Sequence, residues 1–458
     1  MPEAPQDAPL PALPRRDAYA AFRSVSYRSY AISGFISMLG RQMLGVALGY
    51  EIFQRTHSAT ALGLVGLMGA LPIIFLSIPA GIFADRFNRK AIILLAQALS
   101  IVTSIALVVL ALEHVAIPPV APLATGVQAL YTLAGWFGEK SGVFFDPAMP
   151  LMYLLLLVNG VARAFGWSAR SALFPNLVPR SVLSNAVMWN SSTFELTCVL
   201  GPAIGGLAIA FLGVPAVYAI DATLGLAGLL IFLPIHAPQK MTLKHPHPLR
   251  DLFTGLRFVG NNKLILATIT LDMFAVLLGG ATALLPIFAE HILHVGAVGL
   301  GWLRAAPSVG AVAMAFLLAH RPPLQRAGHA MLLAVAGFGA ATIVFGLSKN
   351  YALSFVALAM TGACDNISVV VRHTLVQLLT PDALRGRVSA VNNIFIGSSN
   401  ELGAFESGVT AALFGPVLSV VAGGIGTILV VFGVAAKWPQ VRAIGPLQEP
   451  EKVPGPVD

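Results

Sequence analysis

Apolar residues run along this chain in blocks of roughly twenty, each bounded by charge, proline or glycine, and blocks of that length read as membrane-spanning helices. The pattern predicts twelve of them, at 30–53, 61–83, 90–112, 150–172, 185–212, 214–233, 264–289, 298–319, 330–346, 353–375, 388–413 and 417–436. The fifth and eleventh differ from the rest in carrying polar residues along their lengths. The predicted fold class is therefore an all-α integral membrane protein with twelve transmembrane helices.

Composition narrows the choice further. With 57% hydrophobic residues, 10% charged and mean hydropathy +0.80, a soluble chain of 458 residues is excluded. The net charge of +8 would suggest nucleic acid in a soluble protein. Here bilayer topology supplies the reason, because Lys and Arg collect on the cytoplasmic side. With a cytoplasmic N-terminus, 22 of the 28 Lys and Arg residues fall on that side. Arg55, Lys140 and Lys349 fall outside, and Arg41, Arg163 and Arg304 fall within helices. Both termini and the linker are thus expected in the cytoplasm, in a plasma (inner) membrane. The first twenty-odd residues are Pro-rich and polar, with no apolar core or cleavage site, so no signal peptide is expected. Cys198 and Cys364 both fall in predicted helices and imply no disulfide framework.

The helices divide into two halves that repeat in parallel. An offset of 235 carries Gly66 onto Gly301, Pro72 onto Pro307, Ala84 onto Ala319 and Arg86 onto Arg321. Later an offset of 202 carries Arg170 onto Arg372, Pro179 onto Pro381, Asn190 onto Asn392, Gly201 onto Gly403 and Gly206 onto Gly408. One external insertion, at about 113–149, reconciles the two. The expected units are a cytoplasmic tail at 1–26, a six-helix half at 27–234, a cytoplasmic linker at 235–262, a second six-helix half at 263–437 and a cytoplasmic tail at 438–458.

Between the second and third blocks lies Gly81-Ile82-Phe83-Ala84-Asp85-Arg86-Phe87-Asn88-Arg89-Lys90. A connector this short and basic must hairpin two helices at the membrane surface. Gly81 is expected to let the helix backbones approach, Asn88 to tolerate a left-handed turn, and Asp85 to cap a helix N-terminus. Arg86, Arg89 and Lys90 are expected to face headgroups or carboxylates. An ordinary positive-inside loop explains three basic residues, but not this ordered set. The stretch resembles the signature loop G-x-L-A-D-R-x-G-R-K of the major facilitator superfamily, with Phe83 and Asn88 replacing the usual Leu and second Gly. The resemblance implies two parallel six-helix repeats, a substrate site near the midplane between them, and a conformational role for Gly81, Asp85, Arg86, Arg89 and Lys90. In the second half His320 stands where Asp85 stands in the first, so the loop has decayed there.

The energy source is constrained by what is missing from the chain. Gly138-Glu139-Lys140-Ser141 lacks the Gly before Lys and the preceding strand that a phosphate-cradling loop requires, so no nucleotide site is expected. His291 and His294 read as isolated external residues, and His245 and His247 as linker residues, so neither a metal nor another cofactor is expected. Nucleic acid is not an expected partner, nor is the chain expected to be an enzyme. Transport coupled to an ion gradient, or facilitated diffusion, remains.

The fifth helix carries Gly201-Pro202-Ala203-Ile204-Gly205-Gly206. Such a run serves equally as a close-packing face and as a bend. It resembles the core G-P-x-x-G-G of the antiporter motif of drug/proton exporters, with Thr197 in place of the earlier Gly. Charges within spanning helices are costly and are either paired or functional. Arg41, Arg163, Glu195, Asp272, Asn392 and Glu401 are the substrate and coupling candidates, with Asn190 and Asn400 as further polar contacts. The resemblance places helices 1, 4, 7 and 10 on the central path, which favours Arg41 and Asp272. Asp365 and Arg372, near the inner end of helix 10, read as gating or capping residues.

Within the superfamily the chain resembles the exporters grouped with bacterial enterobactin and macrolide efflux proteins. The supporting stretches are His247-Pro248-Leu249-Arg250 through Phe258, Leu384-Arg385-Gly386-Arg387-Val388, and Asn400-Glu401-Leu402-Gly403-Ala404-Phe405-Glu406-Ser407-Gly408. That resemblance implies proton-coupled efflux of an amphipathic small molecule, a siderophore or drug. The partners expected are that substrate, protons and the lipid bilayer. An uptake symporter on the same scaffold and a membrane sensor without flux are the alternatives.

Overall fold

The computed structural model describes residues 17–112, 148–235, 248–322 and 324–446, without the side chains of 248–252, 382 and 383. Most of the expected 113–149 insertion, most of both tails and His245 and His247 lie outside the described residues. Twelve long helices appear: α1 (Val25–Thr56), α2 (Ala59–Arg86), α3 (Arg89–Leu112), α4 (Met149–Leu173), α5 (Leu183–Leu212), α6 (Val214–Phe232), α7 (Lys263–Leu278), α8 (Gly296–Ala319), α9 (Ala327–Leu347), α10 (Tyr351–Leu379), α11 (Asp382–Phe414) and α12 (Pro416–Lys437). Among the described residues, eleven spans are long and apolar enough to cross a membrane. The remaining helix, α11, is 33 residues long but interrupts its apolar run with Asn392, Asn393, Asn400, Glu401 and Glu406. It packs along α2 of the other half.

Starts and stops follow side-chain chemistry. Ser24, Ser58, Asn262 and Asn350 each accept a backbone N–H at the start of α1, α2, α7 and α10. Gly213 (φ 84°) and Gly415 (φ 87°), which are 202 positions apart, turn α5 into α6 and α11 into α12 in a left-handed conformation that suits glycine.

Packing repeats at an interval of six helices. In the first half α1 packs on α5 and α6, α4 on α2 and α3, and α3 on α6. In the second half α7 packs on α11 and α12, α10 on α8 and α9, and α9 on α12. The halves meet along two crossings that mirror each other, α2 on α11 and α5 on α8.

Both crossings close on glycine. A Cβ added at Gly206 would lie 2.8 Å from the Gly301 Cα, and one at Gly63 would lie 3.0 Å from the Gly408 Cα. The repeat pairs Gly66/Gly301 and Gly206/Gly408 therefore mark the two glycine crossings between the halves. These contacts sit toward the end of the bundle away from the 81–90 turn, and there Gln54 also donates to Glu290 across the halves (3.0 Å). Substituting Gly206 by leucine is expected to push α5 off α8 and unseal this end. Maleimide labelling of a cysteine placed at Ala297, with Cys198 and Cys364 replaced by serine, should then rise several-fold. Unchanged labelling would show that the crossing does not form the seal.

Four sequence expectations change. The seventh span is not one continuous helix: α7 stops at Gly279-Gly280, and the chain continues through short turns to a π-helical turn at Phe288–Ile292. Two consecutive glycines inside an apolar run weaken the helix there without interrupting its hydropathy. The linker carries a helix of its own, Pro248–Asn261, whose Gly255, Phe258 and Val259 pack toward α11 and α7. Asn88 is not left-handed; its side chain accepts from the Ala91 N–H (3.2 Å) and so caps α3, a role expected of Asp85. His291 is not isolated, because its ring meets Phe53 and stacks on His57 across the halves, with centroids 5.1 and 6.1 Å apart.

Candidate functional site

A cavity of about 800 Å³ runs from the middle of the bundle toward the end that carries the 81–90 turn. Its walls come from α1 through α5, with Arg304 of α8 and Glu401 of α11 entering from the second half. Residues of α1 face it at helical spacing, Tyr30, Gly34, Met38 and Arg41, and residues of α4 likewise, Arg163, Trp167 and Arg170.

Among the sequence candidates, the fold brings two together across the halves. Arg163 Nη2 donates to Glu401 Oε1 at 2.5 Å, forming an ion pair between α4 and α11 inside the cavity. Arg41 also lines the cavity and donates to the Met38 sulfur (3.6 Å), with no other side-chain hydrogen bond or ion pair among the described residues. Glu195 lines it from α5, with no hydrogen bond or ion pair among the described residues. Asn190 is a further lining residue.

Asp272 and Asn392 are elsewhere. Asp272 pairs with Arg372 of α10, both buried inside the second half, and no residue of α7 or α10 lines this cavity. The expected central-path role of α7 is therefore not seen in this conformation, because its carboxylate is turned into its own half. Asn392 is buried with its Oδ1 unpaired among the described residues, and Asn400 donates to the Ile396 carbonyl.

The 81–90 turn works as a clasp. Arg89 donates to the carbonyls of Ala84 (3.0 Å) and Ala172 (2.9 Å) and pairs with Asp85 (3.5 Å), while Lys90 donates to the Leu233 carbonyl (2.6 Å). It thereby joins the ends of α2, α4 and α6. Arg86 is exposed, and an added Cβ at Gly81 would meet nothing within 4 Å, so Gly81 mediates no close approach here. In α5, Gly201 and Gly205 pack on Gln42 and Met43 of α1, and Gly206 packs on α8, with the helix unbroken through Pro202.

One cavity cation is not among the sequence candidates: Arg170 lies in the wall, donating to Gln97 Oε1 (2.7 Å) with its guanidinium 5.4 Å from the Phe232 ring centroid. Its spacing of seven from Arg163 puts both on one face of α4, which was the available signal.

Comparison with known proteins agrees with this architecture. A family model described as Major Facilitator Superfamily matches residues 30–404. The enterobactin exporter EntS of Escherichia coli O1:K1 / APEC is 29% identical over 406 residues, covering 88% of this chain and 90% of the exporter. The enterobactin exporter EntS of Shigella boydii serotype 18 matches to the same extent. Among solved structures, a bacterial homolog of the human lysosomal transporter Spinster, inward-facing and unoccupied, has a TM-score of 0.65 at 15% identity, over 92% of this chain and 98% of that one. The nucleoside transporter NupG has a TM-score of 0.62 at 13% identity, over 90% and 98% of the two chains. These structural likenesses concern the fold alone.

Proposed function

Because the chain belongs to the Major Facilitator Superfamily, and is thereby a multi-pass membrane transporter of a small molecule, we propose that it is a proton-coupled exporter of an amphipathic substrate working by alternating access. The observation that carries this reading is a cavity walled mainly by the first half, with the charged Arg304 and Glu401 entering from the second, that reaches one end of the bundle while two glycine crossings join the halves toward the other. Parting the halves at those crossings would open the closed end, and the same rocking motion would bring the 81–90 end together. The empty space beside Gly81 would then be filled, giving the signature glycine its close contact in the opposite state.

Export rather than uptake is supported by the similarity to the enterobactin exporters and by the fifth-helix glycines at the α5–α8 crossing. With both termini cytoplasmic, in an inner membrane, the cavity faces the cytoplasm and is in position to load an outgoing molecule. Glu195 is the coupling carboxylate in this reading, and Arg163 with Glu401 is an ion pair that can exchange partners when substrate enters. A panel of siderophores and drugs, tested for resistance or secretion in a strain lacking its own exporters, checks the reading. Absence of any export at normal protein levels would contradict it.

The clasp gives a separate prediction. The Asp85–Arg89 pair is largely exposed on the aspartate side and contributes less than about 1 kcal/mol to folding. Asp85→Asn should therefore leave abundance and thermal stability unchanged but slow turnover several-fold, because the clasp favours one of two conformations. Substitution of Arg86 should act in the same direction. Equal turnover at equal protein level would remove the conformational role.

A further inference from the structure

Four arginines and two carboxylates line the cavity. Arg41, Arg163 and Arg170 stand on α1 and α4, and Arg304 lines the wall from α8 with Glu401 as its electrostatic neighbour. The lining carboxylates, Glu195 and Glu401, stand on α5 and α11. Arg163 already holds Glu401, so this wall engages one carboxylate that reaches across the cavity. Asp221 is the carboxylate that attracts Arg41, but it is buried outside the cavity lining and accepts from Ser104 (2.6 Å). Neither Arg41 nor Arg170 has a carboxylate within 4 Å among the described residues.

The internal repeat sharpens the point. The offset of 202 carries Arg170 onto Arg372, and the offset of 235 carries Ser37 onto Asp272. In the second half the equivalent arginine is neutralised by Asp272, buried and away from this cavity. In the first half Arg170 donates to Gln97, which in turn donates to Ser37 (2.6 Å), and lies against the Phe232 ring, with no carboxylate paired to it among the described residues. One half thus carries a closed ion pair where the other carries a cavity-facing guanidinium held by neutral groups. Such a group is oriented by Gln97 yet keeps its charge for a partner from outside the protein.

Resting on the transport reading above, we propose that the transported molecule is an organic anion whose acidic group docks between Arg41 and Arg170. Its aromatic or apolar body lies against Trp167, which is 64% exposed and stands on α4 between Arg163 and Arg170. A planar carboxylate matches the guanidinium fork, and the indole supplies a flat apolar surface beside it.

The test is binding by the full-length protein in phosphatidylcholine nanodiscs, which present no net anionic headgroup. The probes are 2-naphthoate, 2-naphthylmethanol and 2-naphthylmethylammonium, measured by equilibrium dialysis. Naphthoate should bind at least about tenfold more tightly than the alcohol, as expected for charge-assisted hydrogen bonds, and the ammonium most weakly. Arg41→Gln and Arg170→Gln should each lower naphthoate affinity toward that of the alcohol while leaving alcohol binding unchanged, and Arg170→Lys should lose less. Equal or tighter binding of the alcohol or the ammonium would overturn the proposal, as would unchanged naphthoate affinity in both glutamine variants. Loss of alcohol binding along with naphthoate in both variants would assign the arginines to the fold, and would overturn it equally. No gradient or flux enters this measurement, so a protein that binds naphthoate but exports nothing would preserve the anion site and remove the export reading.

Discussion

Replacing Glu195 by glutamine should abolish proton-driven accumulation while leaving substrate binding within a few-fold of the parent. A one-unit pH gradient supplies about 1.4 kcal/mol per proton, enough for roughly tenfold accumulation at one proton per substrate. In Glu195→Gln that ratio should fall to about one. Glu195 lines the cavity on α5, about a turn and a half before Gly201-Pro202, and no cation among the described residues pairs with it. Closing the cavity would remove its water, and reopening on the other side would return it, which is the alternation that loading and release of a proton require. Counterflow, which moves no net proton, should survive in the variant. Normal gradient-driven accumulation by Glu195→Gln would exclude this residue from coupling.

Asp272→Asn should behave quite differently, by damaging the fold. Its carboxylate pairs with Arg372 inside the second half, and both side chains are buried. Arg372 Nε already lacks a partner among the described residues, so removing the carboxylate strands a buried cation. Breaking such a pair from one side costs about 3–5 kcal/mol. The expected result is a marked loss of folded yield and a lower unfolding midpoint, with binding, counterflow and uphill transport falling together. The double variant Asp272→Asn with Arg372→Gln should recover much of the yield, because no unpaired charge is left. Full stability in Asp272→Asn, with selective loss of uphill transport, would instead return Asp272 to the coupling role that its depth in the seventh helix suggested.

These two carboxylates mark the limit of what the chain alone discloses. Both were legible as intramembrane charges, since an acidic residue within a twenty-residue apolar run has few bland explanations. Which of them faces the cavity was not, because that depends on how α7 and α10 turn toward each other. The Arg163–Glu401 pair has the same character: its members are 238 positions apart, and only the packing of the halves gives them a common register. Helix positions were readable because lipid demands length and apolarity together. Arg170 was hidden by the same logic, since a count of positive charges by side assigns any arginine near a helix end to the surface. The break at Gly279-Gly280 was hidden because glycine does not interrupt a hydrophobic run. The repeat offsets, by contrast, carried three-dimensional content: Gly206 and Gly301, drawn from two separate repeat pairs, face each other at the α5–α8 crossing.

Directional, proton-driven export through this cavity is the proposed activity. Its most direct test is transport of a substrate from the exporter-strain panel into everted membrane vesicles whose lumen has been acidified. Accumulation should depend on the imposed gradient, collapse with a protonophore and be lost in Glu195→Gln. Accumulation in right-side-out vesicles driven by external acid, or no gradient-dependent movement in either orientation, would contradict it.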